Sequence, residues 1–120
     1  MTVVRDLMSS PVVTLTPQKT AYDVAVLMNQ KDIETIVVTW GDNVVGILTE
    51  KDLVRKVIAQ NKSYSIKISE IMSNPVISIE ANASIRKAKG VMKRHNIKRL
   101  TVIEKGKLVG IITASDLMKK

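Results

Sequence analysis

The chain has 120 residues, 45% of them hydrophobic, with no cysteine and a formal net charge of +8. That length suits one compact domain or two very small ones, and the lack of cysteine excludes disulfides and thiolate metal sites. No apolar run approaches the ~20 residues of a membrane span. The opening stretch MTVVRDLMSS carries a charged pair where a secretion signal would be apolar, so no targeting segment is expected and the default compartment is the cytoplasm. In chain order, VVTL (12–15), preceded by Pro11, reads as a short β-branched strand. Thr20 is a good N-cap, and Ala21, Val24, Ala25 and Met28 recur at helical spacing behind it, predicting a helix that ends near Gln30. TIVVTW (35–40), a turn at Gly41-Asp42-Asn43 and VVGIL (44–48) predict a β-hairpin. A second helix opens at Thr49, and NKSYSIK (61–67) is a polar connector.

The same order then recurs. VISI (76–79) follows Pro75, and Ser84 caps a helix carrying Ile85, Ala88, Val91 and Met92 that ends near His95. LTVIE (100–104), a turn at Lys105-Gly106-Lys107 and LVGII (108–112) form a second hairpin, and a last helix opens at Thr113. The recurrence has a fixed interval. Gly46 and Gly110, Thr49 and Thr113, Asp52 and Asp116, and Leu53 and Leu117 all lie 64 positions apart, and LMSSPVVTL falls on IMSNPVISI without a gap. One unit is written twice, as repeats 1–60 and 61–120. Each copy alone is near the size where a hydrophobic core is marginal, so the copies are expected to share one. Strand, helix, strand, strand, helix in each copy predicts an α/β fold, with one face of each small sheet covered by helices and the other by the sister copy. Such a pairing has pseudo-twofold symmetry and clefts at the seam, where ligands usually bind.

Charge divides unevenly between the copies. Residues 1–60 hold six Lys/Arg against seven Asp/Glu, a net of −1, whereas residues 61–120 hold thirteen against four, a net of +9. Much of the excess lies in IRKAKGVMKRHNIKR (85–99), which suggests either a solvated helix face or an anionic partner.

The repeated Thr-x-x-Asp supports two readings. At a helix start it resembles a capping box, although the usual third-position partner is Glu or Gln and Asp is one methylene shorter. The same geometry suits a nucleotide: free N–H groups and a threonine hydroxyl attract phosphate, and an ionised aspartate accepts from neighbouring ribose hydroxyls. The readings are compatible, since Thr49 can cap and also touch a ligand.

G-I-[LI]-T-x-x-D-L closing each copy and M-S-x-P-V opening it, both present twice at a fixed interval, resemble a tandem pair of CBS domains, named for cystathionine beta-synthase. The resemblance spans essentially the whole chain. It implies two βαββα repeats packed sheet to sheet and a non-catalytic regulatory module, with AMP, ADP, ATP or S-adenosylmethionine bound between the repeats. Carried over residue by residue, one pocket combines Thr49, Lys51 and Asp52 with Ser78, Ile97, Lys98 and Arg99. The other combines Thr113, Ser115 and Asp116 with Thr14, Thr16, Ile33 and Thr35. Aspartate would hold the ribose and the apolar positions would sandwich adenine. Arg99 falls where relatives often carry a phosphate-binding basic residue, while its counterpart Thr35 stands beside Glu34, whose carboxylate disfavours phosphate. The Asp52 pocket is therefore the preferred phosphate site.

Other signals point less far. His95, the only histidine, has neither the orienting acid nor the co-ligands that catalysis or metal binding needs, and is expected at an exposed helix end. Trp40 is expected to pack on its hairpin or, if exposed, to mark an oligomer contact. Gly90 suggests close packing against another helix, and the methionines fall mostly at core spacing. Faces such as those of Met28 and Met92 call for a lid, which predicts a homodimer. The leading function is an adenine-nucleotide sensor that acts on a partner protein through linkage. A nucleic-acid-binding protein using the basic repeat is the alternative, against which stand the scarce aromatic residues. A purely structural assembly module comes third, and an enzyme last, with no Ser-His-acid set and no glycine-rich phosphate loop.

Overall fold

The computed structural model describes residues 1–119. Its elements run α1 (Val4–Leu7), β1 (Thr14–Leu15), α2 (Ala21–Lys31), β2 (Thr35–Trp40), β3 (Asn43–Thr49) and α3 (Glu50–Leu53), which continues as a π-helical turn over Val54–Ile58. A 3-10 turn (Ile68–Glu70) precedes β4 (Ser78–Glu80), α4 (Ile85–His95), β5 (Arg99–Glu104), β6 (Lys107–Thr113) and α5 (Ala114–Leu117). The result is a mixed α/β fold with two three-stranded sheets, ordered β1-β2-β3 and β4-β5-β6. In each, the first strand runs parallel to the second, and a hairpin adds the third.

Local chemistry explains the boundaries. Thr20 and Ser84 cap α2 and α4 by accepting from the third helical N–H, and both helices stop at a left-handed residue, Asp32 and Asn96, one of the few non-glycine types that tolerate that conformation. The hairpin loops are Gly41-Asp42 and Lys105-Gly106; φ is +61° at Gly41, and +52° and +77° across the second pair. Such positive angles belong to the tight turns whose twist matches the strands.

The compact units do not follow the sequence repeats. Val13–Val76 forms one, and Met1–Val12 with the chain from Ile77 onward forms the other. Each repeat thus contributes its leading segment to the unit of the other repeat. Ile68 and Ile71 lie in a core with Val24, Met28, Ile36, Val38, Leu48 and Val57. Val4 lies in the second core with Ile79, Ala88, Met92, Leu100, Val102 and Ile112. Backbone bonds repeat the pattern: Ile68 N–H donates to Lys19 O at 2.8 Å, and Val4 N–H donates to Ala83 O at 2.9 Å. The segment 61–67 is more than a connector, because Ile66 and Tyr64 carbonyls accept from Ala21 and Tyr22 N–H, first-turn donors of α2 that have no partner within the helix.

The strap formed by residues 68–76 also explains the motif glycine. Ser73 pairs with Ile47 of β3, and Met72 lies over Gly46; a Cβ there would overlap Met72 Sδ and stand 2.8 Å from its Cγ. Met8 lies over Gly110 in the same way. Both glycines also sit where the hairpin register shifts, beside Val38 and Val102.

Four expectations are corrected. The buried residues form two cores, one in each unit, in place of the single core expected for the copies. Met28 and Met92 are buried in their own cores, so those faces need no lid from another subunit. Ala25 is exposed instead of core, because the apolar stripe of α2 turns away from it. Gly90 is exposed, and among the described residues a Cβ added to it would meet nothing within 4 Å, so none of their helices demands it. His95 is exposed at the last position of α4, as its place in the sequence predicts, and Trp40 is 53% exposed on its hairpin.

Candidate functional site

Thr49 ends β3 in extended conformation and caps α3. Its Oγ1 accepts from Asp52 N–H at 3.2 Å, and its own N–H donates to Asp52 Oδ2 at 2.9 Å. Thr113 and Asp116 close the same reciprocal box at 3.1 and 2.9 Å. Aspartate therefore reaches back despite its short side chain. A third box, Thr20 with Asp23, opens α2, where hydrogen bonds from the Thr20 backbone and side chain hold the Asp23 carboxyl below its usual value. Capping thus accounts for the spacing and for one carboxylate oxygen.

The second oxygen has a different environment. Asp52 Oδ1 faces Lys56 Nζ at 3.5 Å, and Asp116 Oδ1 faces Lys119 Nζ at 3.4 Å. Lys119 thus donates a long hydrogen bond to Asp116, whereas Lys56 and Asp52 form an ion pair without a hydrogen bond. The carboxylate side chains are 19% and 11% exposed and Asp116 as a whole is buried, so the Asp52 carboxylate is the more open of the two.

Backbone bonds bring further residues to each helix start. Glu50 N–H donates to Glu34 O at 3.0 Å, and Ala114 N–H donates to Lys98 O at 2.8 Å. Thr35 lies opposite Thr49 in the ladder, and Arg99 opposite Thr113. The unit 13–76 accordingly holds Thr14, Thr16, Ile33 and Thr35 together with Thr49, Lys51 and Asp52. The other unit holds Ser78, Ile97, Lys98 and Arg99 together with Thr113, Ser115 and Asp116. Each residue set expected from the sequence draws on both units. Thr14, Thr16, Lys51, Ser78, Lys98 and Ser115 are exposed, while Ile33, Thr35, Ile97 and Arg99 are half-buried.

Two features give the second unit a distinct polar character. Ser78 Oγ and Thr101 Oγ1 share a hydrogen bond, and Thr101 is fully buried. Sequence reasoning passes over Thr101, although a threonine two residues beyond Arg99 shares its strand face. Among the described residues, Arg99 Nε is buried and meets no hydrogen-bond acceptor. A buried guanidinium N–H ordinarily has one. No group of three or more His, Cys, Asp or Glu among the described residues could hold a metal ion.

A family model described as CBS domain matches residues 4–59 and 68–120. The chain belongs to the CBS domain family. Both CBS repeats align along a relative named CBS domain-containing protein YhcV of Bacillus subtilis, 33% identical over 117 residues, which cover 98% of this chain and 84% of the relative. An uncharacterized protein of Methanopyrus kandleri is 38% identical over 111 residues, but the matched stretch is only 57% of its length. Among solved structures, the CBS-domain containing protein ATU1752 of Agrobacterium tumefaciens superposes with a TM-score of 0.84 at 30% identity, covering 98% of this chain and 97% of that one. The CBS domain pair of protein MJ0100, in complex with 5-methylthioadenosine and S-adenosyl-L-methionine, gives a TM-score of 0.84 at 27% identity, covering 98% and 93%.

Proposed function

We propose that this CBS pair is a non-catalytic regulatory module of the cytoplasm that binds an adenosine derivative and signals its presence to a partner protein. CBS pairs are in general regulatory and bind adenosine ligands, and the MJ0100 pair carries two of them. In this reading the Oδ1 atoms of Asp52 and Asp116 accept from ribose hydroxyls, because their Oδ2 atoms are committed to the caps. The preferred pocket takes Thr49, Lys51 and Asp52 with Ser78, Ile97, Lys98 and Arg99, and the second takes Thr14, Thr16, Ile33 and Thr35 with Thr113, Ser115 and Asp116. The observation that supports the phosphate assignment is the pair of adjacent cations Lys98, exposed, and Arg99, half-buried, whose Nε meets no acceptor among the described residues. The rest of the half-buried Arg99 side chain would offer phosphate oxygens charge-assisted bonds. AMP, ADP or ATP then suits the Arg99 set better than the Glu34 set.

The reading includes a homodimer. Tyr22, Val54, Ile58 and Tyr64 are each more than half exposed in the unit 13–76, and a second copy covering them would remove apolar surface from water. Light scattering at tens of micromolar tests this, and a monomer mass with and without nucleotide speaks against it. The binding claim is tested by calorimetric titration of AMP, ATP and S-adenosylmethionine, beside a short DNA duplex at two salt concentrations. Saturable binding of an adenosine ligand is expected, with duplex binding that fades steeply as salt rises. The exposed basic row Arg86, Lys87, Lys89, Lys93 and Arg94 of α4 favours the nucleic-acid alternative, which prevails if only the duplex binds and does so at physiological salt.

A further inference from the structure

We propose that Lys56 links the ligand-facing oxygen of Asp52 to the 68–76 strap, so that a ribose held by Asp52 tightens the strap on β3. The proposal rests on the nucleotide-binding reading above. Lys56 lies within the π-helical turn that extends α3, a type of turn frequent at functional sites. Its ammonium has three donors. Nζ donates to Ile71 O at 3.0 Å and to Ser73 Oγ at 3.3 Å, and faces Asp52 Oδ1 at 3.5 Å. One cation therefore joins the carboxylate of the repeated motif to two acceptors on the strap.

Ile68 and Ile71 anchor the start of the strap in the core, and beyond them its hold on β3 is small. Ser73 N–H donates to Ile47 O at 2.9 Å, Ile47 N–H donates to Ser73 O at 3.1 Å, and Met72 lies across Gly46. The segment then runs directly into β4 of the other unit. Ribose hydroxyls that donate to Asp52 Oδ1 occupy the lone pairs that attract Lys56, and they lessen its pull. The ammonium is then free to shorten its bonds to Ile71 O and Ser73 Oγ. The sign follows: occupancy at Asp52 increases protection of the strap. In the sister unit Lys119 faces Asp116 from three residues on, and Lys120, which the 64-residue interval sets against Lys56, lies outside the described residues.

The test is amide hydrogen exchange at Ser73 and Ile47, with Val38 as an in-sheet reference, in the parent and in Lys56→Met, each with and without saturating AMP. Methionine keeps an unbranched apolar stem and removes the charge and donors. Binding alone slows exchange throughout a unit by mass action, so the readout is slowing at Ser73 and Ile47 in excess of that at Val38. The parent is expected to give an excess on the order of fivefold, the worth of one net hydrogen bond. In Lys56→Met the excess disappears while AMP still binds, and the strap amides of the free protein exchange faster than in the parent. Ser73→Ala, which removes one strap acceptor and leaves Lys56 in place, should reduce the excess without abolishing it. Equal excess in the parent and both variants overturns the coupling alone. A parent that binds no AMP overturns the binding reading and the coupling with it.

Discussion

Replacing Gly46 with alanine tests why the closing motif of each repeat begins with glycine. Gly46 has an ordinary strand backbone, so its role is to leave room and not to adopt an unusual φ. An added Cβ would overlap Met72 Sδ and stand 2.8 Å from Cγ and 3.0 Å from Cβ. The sulfur can swing aside, since methionine is flexible. The Cβ cannot move without the strap backbone, which holds the two Ile47–Ser73 bonds. Overpacking of this kind costs about 1–3 kcal/mol. Alanine recovers about 0.5–1 kcal/mol of backbone entropy relative to glycine within a strand, so from the middle of each range the net loss should be about 1 kcal/mol. Urea unfolding reads it as a lower midpoint at unchanged slope. In Gly46→Ala/Met72→Ala the loss should be smaller than the sum of the single losses by roughly 1 kcal/mol, because the two positions touch. At Gly110 the rescue should be weaker, since a Cβ there also meets the backbone oxygen of Ser9 at 3.0 Å and Met8→Ala cannot relieve that contact. A neutral Gly46→Ala, or strict additivity with Met72→Ala, would refute the packing explanation.

Gly90→Ala should stabilise the protein by about 0.8–1 kcal/mol, because the position is exposed in mid-helix with open space for a methyl group; a loss of stability in thermal melts would point to a hidden contact. Ile68→Ala should cost about 2–5 kcal/mol, and exchange protection should fall in the unit 13–76, whose core Ile68 occupies, even though residue 68 belongs to the second sequence repeat. Loss of protection confined to the other unit would contradict the segment exchange. The Asp23 carboxyl is held below its usual value first by the Thr20 N–H and then by the Thr20 hydroxyl. A depressed carboxyl stabilises the fold above the unfolded carboxyl's pKa, near 4, and that contribution is lost as pH falls through the folded value. Stability of the parent should therefore drop more steeply below about pH 4 than that of Asp23→Asn, and parallel acid-unfolding curves would remove Asp23 from the account.

Strand and helix positions were readable where a local rule decides them. TIVVTW matches β2 residue for residue, since β-branched residues bounded by a glycine turn leave little latitude. The ends of α2 and α4 fall within a residue of the expected positions because the caps are local. The repeats were legible from the 64-residue interval, and the family followed from the same residues. The short elements Val4–Leu7 and Ile68–Glu70 were not legible. Each holds one fully buried residue, Val4 or Ile68, whose partners lie in a distant part of the chain. No local periodicity encodes such a partner, so the exchange of leading segments stayed hidden. The same long-range packing hid the purpose of Gly46, which only Met72 reveals. At the candidate site, Thr49, Asp52, Thr113 and Asp116 were legible as a repeated motif, and Arg99 as a departure between copies. Thr101 and Lys56 were not, because the first acts through its strand partner Ser78 and the second through carbonyl and hydroxyl groups on the strap.

The central claim is that the repeated aspartate both closes a helix cap and holds a ribose. Asp52→Asn separates the two roles, because asparagine keeps a side-chain oxygen for the Thr49 N–H and loses the charged second oxygen. The measurement is AMP calorimetry on the parent and Asp52→Asn, with a melting curve for each. Stability should fall by no more than about 1 kcal/mol, while affinity for AMP should weaken by about 1.5–3 kcal/mol, tenfold or more in dissociation constant. An affinity equal to the parent's would make the aspartate a cap and nothing more, and would contradict the account.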